Sequence, residues 1–233
     1  MSDPSTLRLA ATSIPIRDGA AGLELLMVRR AEQLSFGGMW TFPGGSIDPE
    51  DGPVPALDEA TIDYADAMLV DTARVAAQRE TMEETALAVD PAALAWLSHW
   101  VPPVGGLAPK RFATWFFLAP GTTGDLVLDE AENTDAAWIT AQGALDRHAA
   151  GDFPLAPPTW TTLWDATDHA TVADILGAAE GGPAWFHTKL SPTDAGAVLL
   201  WSGDAGYESS DPAVEGPRNR IIAARDGSMR RER

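Results

Sequence analysis

The 233-residue chain contains no cysteine and only two lysines, Lys110 and Lys189. Without cysteine there is no disulfide framework, no thiolate zinc site and no thiol nucleophile. Basic residues number 16 against 34 acidic ones, a formal net charge of −18, which argues against broad docking on DNA, RNA or an anionic membrane. No apolar run approaches the roughly 20 residues that span a bilayer. The N-terminus, Met1-Ser-Asp-Pro, has neither the basic nor the apolar segment of a secretory signal. A soluble, cytoplasmic protein is expected, with no nucleic-acid or membrane partner. What the chain does have is 45% hydrophobic residues and nine tryptophans, sufficient for a full hydrophobic core.

Leu7–Ile16 and Leu23–Arg29 are apolar runs of strand length separated by the turn signal Asp18-Gly19, which predicts a hairpin. A glycine-rich stretch follows from Phe36 to Gly45, then an acidic loop from Ser46 to Pro55. Residues 56–70 are weakly patterned and suit a short helix. Asp71–Leu87 has no Gly or Pro and is rich in Ala, Arg, Gln and Glu, which favours helix. Further strands are expected at Leu94–Val101, Phe112–Leu118 and Asp135–Thr140, with a helix from there to Ala150. Pro158–Ala179 reads as one long amphipathic helix, Ala197–Trp201 and Arg220–Ala224 as closing strands, and the charged tail after Gly227 as frayed. Strands and helices mix without strict alternation, and neither linker nor repeat divides the chain. The expected architecture is therefore one α/β domain over residues 1–233, with a mixed sheet and helices packed on its faces.

Chemistry concentrates in Arg79-Glu-Thr-Met-Glu-Glu-Thr85. At about 100° per residue, Glu83 falls roughly 40° from Arg79, Glu80 about 100° and Glu84 about 140°. Val70, Ala77, Thr81 and Ala88 cluster on the opposite side, the face expected against the sheet. Glu80 and Glu84 thus border the buried face, and Arg79 can pair with Glu83 one turn on. Three carboxylates this close repel, at about 3 kcal/mol per pair for a ~5 Å separation and an effective dielectric near 20. Solvent, protonation or a divalent cation would relieve them, and hard oxygen ligands suit Mg²⁺ or Mn²⁺. An ordinary solvated helix face has the same pattern.

Upstream stands Phe42-Pro-Gly-Gly45, followed by Asp48 and Asp51. Together with the helix it resembles the Nudix hydrolase signature, G-x5-E-x7-R-E-U-x-E-E-x-G-U, where U is a bulky aliphatic. Gly45, Arg79, Glu80, Glu83, Glu84 and Leu87 match it. Asp51 stands for the first glutamate, Thr81 for an aliphatic and Ala86 for the last glycine. An insert of 20 residues, about 52–71, splits the box. F-P-G-G-x-x-D-x-x-D, an insert and R-E-x-x-E-E are similar to the long-insert Nudix branch that includes peroxisomal coenzyme A diphosphatases. Trp100-Val-Pro-Pro103, Arg111-Phe112, Phe116–Ala119 and Leu155–Thr159 extend that resemblance, which covers about residues 7–180. It leaves a C-terminal extension, about 180–233, without an assigned role.

The resemblance implies a Nudix-type α/β/α sandwich and hydrolysis of a nucleoside diphosphate linked to another group. Coenzyme A or acyl-coenzyme A is the first substrate, with ADP-ribose, NADH and dinucleoside polyphosphates as alternatives. A non-catalytic nucleotide sensor is the alternative of another class. The coenzyme A-specific branches outside the long-insert one carry an arginine four residues before the position of Gly38; Leu34 stands there. By resemblance, Gly45, Glu80, Glu83 and Glu84 are metal ligands, while Glu80, Glu83, Arg79 and Glu132 are catalytic. Glu80 serves as ligand or base, Arg79 positions a glutamate, and Glu130 is the fallback for Glu132. The resemblance further implies a homodimer. A polyanionic substrate also needs positive charge, for which Arg29, Arg30, Lys110 and Arg111 are the candidates. Trp40, Trp100 and Trp115 are candidates to stack a base, or else core residues. Nucleotide P-loop, dinucleotide-fold, serine-hydrolase and HExxH motifs are absent, and His99, His148, His169 and His187 show no ligand spacing.

Overall fold

The first strand decides how the sheet divides. The computed structural model describes residues 7–34, 36–105 and 110–233. Strand β1 (Leu7–Gly19) runs for 13 residues and changes antiparallel partner along its length. Its far end, Ile16–Gly19, forms the expected hairpin with β2 (Gly22–Arg30). Nearer its start, Ala10–Thr12 pair instead with β4 (Gly44–Ser46). β3 (Trp40–Thr41) pairs with the end of β2, so the chain between β2 and β4 turns back over the place where the two partners of β1 separate.

The other edge of β1 runs parallel to β6 (Arg111–Ala119), which pairs with β5 (Ala95–Val101). β7 (Asn133–Thr140) lies antiparallel on the outer edge of β2, and β8 (Ala184–His187) parallel on the outer edge of β5. The result is a mixed eight-stranded sheet.

Helix α1 (Ala67–Thr85) packs on one face. It starts four residues before the predicted Asp71 and ends two before Leu87, because Asp66 caps it by accepting the Leu69 N–H at 3.1 Å and Ala86 adopts a left-handed conformation. Residues 56–66 form turns rather than a short helix. Leu69, Val70, Ala73, Ala76 and Ala77 meet β1 and β6 side chains such as Leu9, Ala11, Trp115 and Phe117. Small residues on the helix let it lie close to the large aromatics of the strands.

The opposite face carries α2 (Ala141–Ala149), α3 (Pro157–Ala166) and α4 (Val172–Ala179). The single helix expected over Pro158–Ala179 is thus two. The break falls where Thr171 and Asp174 form a reciprocal capping box that begins α4, a local bond pattern that competes with helix continuation.

The closing strands also differ from expectation. β10 (Gly196–Leu200) and β11 (Arg220–Ala224) pair with each other, with β9 (Lys189–Thr193) and with β12 (Met229–Glu232), forming a separate four-stranded sheet. The tail is therefore not frayed. Arg231 stacks over Trp201 at 4.7 Å and donates to the Asn219 side chain at 2.7 Å. This sheet shares the core of α2–α4: Trp100 stacks on Phe186 at 3.9 Å and meets Trp201 edge-on, with Ile221 in the same cluster. Among the described residues no helix is long and apolar enough to cross a membrane.

Candidate active site

The separation of β2 from β4 along β1 leaves a gap, and the last two turns of α1 lie across it. Gly45 pairs with Ala11 at its edge. A Cβ built on Gly45 would fall 2.5 Å from the Glu80 carboxyl, so a side chain at this position would displace the carboxylate that now lies against the backbone. Gly44 donates its N–H to Glu84 at 3.2 Å.

Arg79 organises the acidic side chains. Its Nε and Nη2 grip Asp51 in a bidentate pair at 2.8 and 2.9 Å. Nη2 also donates to the Ser46 carbonyl at 3.0 Å, and Nη1 to Glu80 and Glu83 at 2.9 and 3.0 Å. The i,i+4 pair with Glu83 thus forms as the spacing predicts. Asp51, at the position of the signature's first glutamate, reaches Arg79 across the insert. Burial works against its ionisation, but Arg79 and the Asp48 N–H hold its carboxyl below the ordinary range.

Glu84 and Glu80 behave in the opposite way. Glu84 is 1% exposed, and burial raises its carboxyl to about 7. Arg30 at 2.8 Å and the Gly44 N–H pull in the other direction, while Glu80 and Glu132 add repulsion. Burial raises Glu80 too, only partly offset by Arg79 and reinforced by Glu83 and Glu132. Glu83 is exposed. Glu132, in the loop leading to β7, sits 3.6 Å from the second Arg30 nitrogen.

The structure therefore brings together Gly45, Arg79, Glu80, Glu83, Glu84, Arg30 and Glu132. Arg29, on the same strand end, donates to the Gly38 carbonyl at 3.2 Å and pairs with Glu32 at 3.7 Å. Glu130 is exposed in the same loop as Glu132. Arg111 and Lys110 stand apart. Arg111 pairs in register with Leu7, four residues before Ala11, hence about 13 Å along the strand from the Gly45 position. Its guanidinium is buried against Glu59 of the insert, at 2.7 and 2.9 Å, and the Pro102 carbonyl. Lys110 is exposed at the same end. The tryptophans considered for base stacking are core residues: Trp40, Trp100 and Trp115 are 3%, 4% and 0% exposed.

Two features go beyond the sequence reading, which placed Thr81 on the sheet-facing side of the helix but gave it no partner. Thr81, where the signature has an aliphatic, is buried and shares a hydrogen bond with Ser13 of β1. Asn133, in register with Arg30, is fully buried with neither side-chain polar atom hydrogen-bonded among the described residues. Only the replacement of an aliphatic by threonine signals the first, and no local pattern signals the second.

Whether a divalent ion fits can be judged from the donors. Glu80, Glu83, Glu84 and the Gly45 carbonyl are an all-oxygen set of the kind Mg²⁺ and Mn²⁺ prefer, and burial raises the carboxyls of buried Glu84 and half-buried Glu80 despite their arginine partners. As they stand, no three acidic or imidazole groups among the described residues already form a cage; Arg79 and Arg30 engage the carboxylates instead.

Comparison with known proteins bears on the family of the chain. A MutT NUDIX hydrolase from Burkholderia pseudomallei aligns at 18% identity and TM-score 0.48, over 68% of this chain and 96% of that one. The NUDIX domain of Shewanella oneidensis NrtR, in a cocrystal with ADP ribose, aligns at 19% identity and TM-score 0.49, over 72% and 92%. A NUDIX hydrolase from Alicyclobacillus acidocaldarius is more similar, at 28% identity and TM-score 0.60, over 74% of this chain and 96% of that one. No curated protein matches. The NUDIX domain model matches residues 6–157, more than half of the chain, and the chain therefore belongs to the NUDIX family of pyrophosphohydrolases.

Proposed function

We propose that this protein is a Mg²⁺- or Mn²⁺-dependent hydrolase of a nucleoside diphosphate linked to another group, with coenzyme A or an acyl-coenzyme A as its substrate. The observation that carries the reading is the pair of α1 carboxylates, buried Glu84 and half-buried Glu80, closed against the Gly44-Gly45 turn. Glu83, Glu84 and the Gly45 carbonyl would hold the ion, which supplies neutralisation of charge on the phosphate oxygens. Arg79 fixes the orientation of Glu80 and Glu83 through its two short bonds. Glu80, whose hold on a proton burial has strengthened, takes a proton from the attacking water. The water oxygen bonds to one phosphorus, the bridging P–O bond breaks, and the leaving phosphate departs with the electron pair. Glu132 would act from its place beside Arg30, and Arg29 and Arg30 offer the positive charge that the acidic surface lacks.

The coenzyme A assignment rests on the Phe42–Gly45, Trp100–Pro103 and Leu155–Thr159 segments, and Leu34 weighs against it. A turnover screen of the purified chain with Mg²⁺ and Mn²⁺, over coenzyme A, ADP-ribose, NADH and dinucleoside polyphosphates, tests both levels. Release of 3′,5′-ADP and 4′-phosphopantetheine from coenzyme A is the expected result. AMP-type products from ADP-ribose alone would reject the substrate. No turnover of any diphosphate with either metal would favour a nucleotide-binding sensor.

A further inference from the structure

We propose that Phe36 is the platform on which this enzyme stacks the base of its nucleotide substrate, a role that rests on the proposed function. With Trp40, Trp100 and Trp115 committed to the core, the base needs another aromatic surface. Phe36 is 46% exposed, and no ring packs against it among the described residues. Its backbone is left-handed, φ 62°, a conformation that a bulky L-residue adopts only when its surroundings impose it.

The surroundings do impose it. The Phe36 carbonyl accepts the Met39 N–H at 3.1 Å, and the Gly37 N–H bonds back to Leu34 at 3.0 Å. Gly37 leaves no room for a side chain, since a Cβ there would lie 2.2 Å from the Glu32 carbonyl. Among the described residues of this loop, Phe36 is the aromatic side chain that reaches solvent, and it stands on a backbone where glycine or asparagine would be at ease. A strained backbone that exposes a large apolar side chain is a cost to folding from which the core gains nothing.

Its location indicates what the ring meets. Two residues on, Gly38 donates its N–H to the Arg30 carbonyl and accepts Arg29 Nε at its own carbonyl. Ala31, at the start of the loop, donates to the Glu132 carbonyl at 2.8 Å. The loop thus links a bare aromatic ring to the two arginines and the carboxylate cluster. A ligand with phosphates at one end and a flat base at the other matches that order of groups. Stacking takes any base through its π-face, so the selectivity expected is for possession of a base, not for its identity.

Steady-state kinetics of Phe36→Ala and Phe36→Trp test this on the best diphosphate substrate from the screen. Phe36→Ala should raise KM about tenfold, with kcat at saturation changing far less, and Phe36→Trp should restore the parent KM. A diphosphate that carries ribose but no base should show no difference between parent and variants. Phe36→Gly should raise the thermal midpoint by about 2–4 °C while weakening substrate in the same way as alanine. Equal KM values for parent and Phe36→Ala, or an equal rise with the baseless diphosphate, would overturn the assignment and leave the hydrolase reading intact. If the parent turns over nothing, the hydrolase reading fails and fluorescence titration with etheno-ADP decides the matter separately. Binding about tenfold weaker in Phe36→Ala sustains the platform; equal binding, or none to the parent, removes it.

Discussion

Glu84 in the NUDIX-matched region and Asp204 in the C-terminal sheet are both buried acids held by an arginine, and burial leaves them in opposite states. Asp204 accepts two N–H groups from Arg220 at 2.7 and 2.6 Å, together with the backbone N–H groups of Asn219 and Gly206 at 2.8 Å each. Burial opposes its ionisation, yet these four bonds bring the carboxyl down to about 2. Glu84 has one Arg30 nitrogen and one longer backbone bond, and faces Glu80 and Glu132. The first is a closed structural pair in which lone pairs and protons are matched; the second is left short of positive charge. Under-compensation of that kind is costly in a resting fold and useful where a cation and a polyanion must be received.

The largest effects should separate these two acids by what each loses. Asp204→Asn leaves Arg220 buried and unpaired and should cost about 3 kcal/mol of stability, while turnover per folded molecule holds. Glu84→Gln and Glu83→Gln should abolish turnover, by more than about a hundredfold, with a thermal midpoint unchanged or higher because like-charge repulsion falls. Denaturant titrations beside kinetics check both. Activity of either glutamine variant within threefold of the parent would sink the metal-ligand assignment.

Acid sharpens the same contrast. The folded pKa of Asp204 lies below its ordinary value, so its stabilisation is complete above pH 4 and is lost as pH falls through about 2, an effect of about 2 kcal/mol. Parent and Asp204→Asn stability curves should therefore stand apart at pH 6 and converge below pH 3. His99 erodes stability in both proteins over a higher range. Burial, aided by His187, lowers it to about 3, so its contribution is lost from pH 6.5 downward and cancels in the difference. A gap between the curves that persists at pH 2 would show that Asp204 acts through packing rather than charge.

Thr81 and Ser13 form a closed polar pair inside the NUDIX-matched region. Thr81→Val leaves the buried Ser13 hydroxyl without that partner and should cost about 1–3 kcal/mol. Adding Ser13→Ala should recover most of the loss. A double variant no more stable than Thr81→Val would mean that the pair is not coupled.

The site was legible where its parts are local in the chain. Helical spacing alone puts Arg79 beside Glu83, and Phe42–Gly45 announces a close backbone approach. Partners distant in sequence were not legible. Nothing near Arg111 points to Glu59 of the insert, and nothing near Arg30 says that it meets Glu84 across 54 positions. The fold shows the same limit. The hairpin from Leu7 to Arg30 follows from apolar runs and a turn, whereas the Thr171 cap was hidden inside an amphipathic period that runs on past it. The charged tail Met229–Glu232 resembles a frayed end until β11 supplies its hydrogen bonds and Trp201 a surface for Arg231. Tryptophan count likewise could not tell core from platform, because burial depends on which strand face meets the helices.

The smallest effect concerns how α1 ends. Ala86 adopts φ 57° and donates its N–H to the Met82 carbonyl at 2.9 Å, the left-handed stop for which the family signature uses glycine. The C-terminal sheet meets similar demands at Gly203 and Gly227, φ 92° and 88°, with glycine in place. Ala86 is exposed, so its methyl group contributes little packing to set against the strain. Ala86→Gly should then stabilise the protein by about 1 kcal/mol, seen as a rise of about 2–4 °C in the thermal midpoint. Turnover should not change, because the carboxylates lie on the preceding turns. A lower midpoint would mean that the freedom glycine adds to the unfolded chain outweighs the relief, and that α1 closes under less strain than its dihedral angles imply.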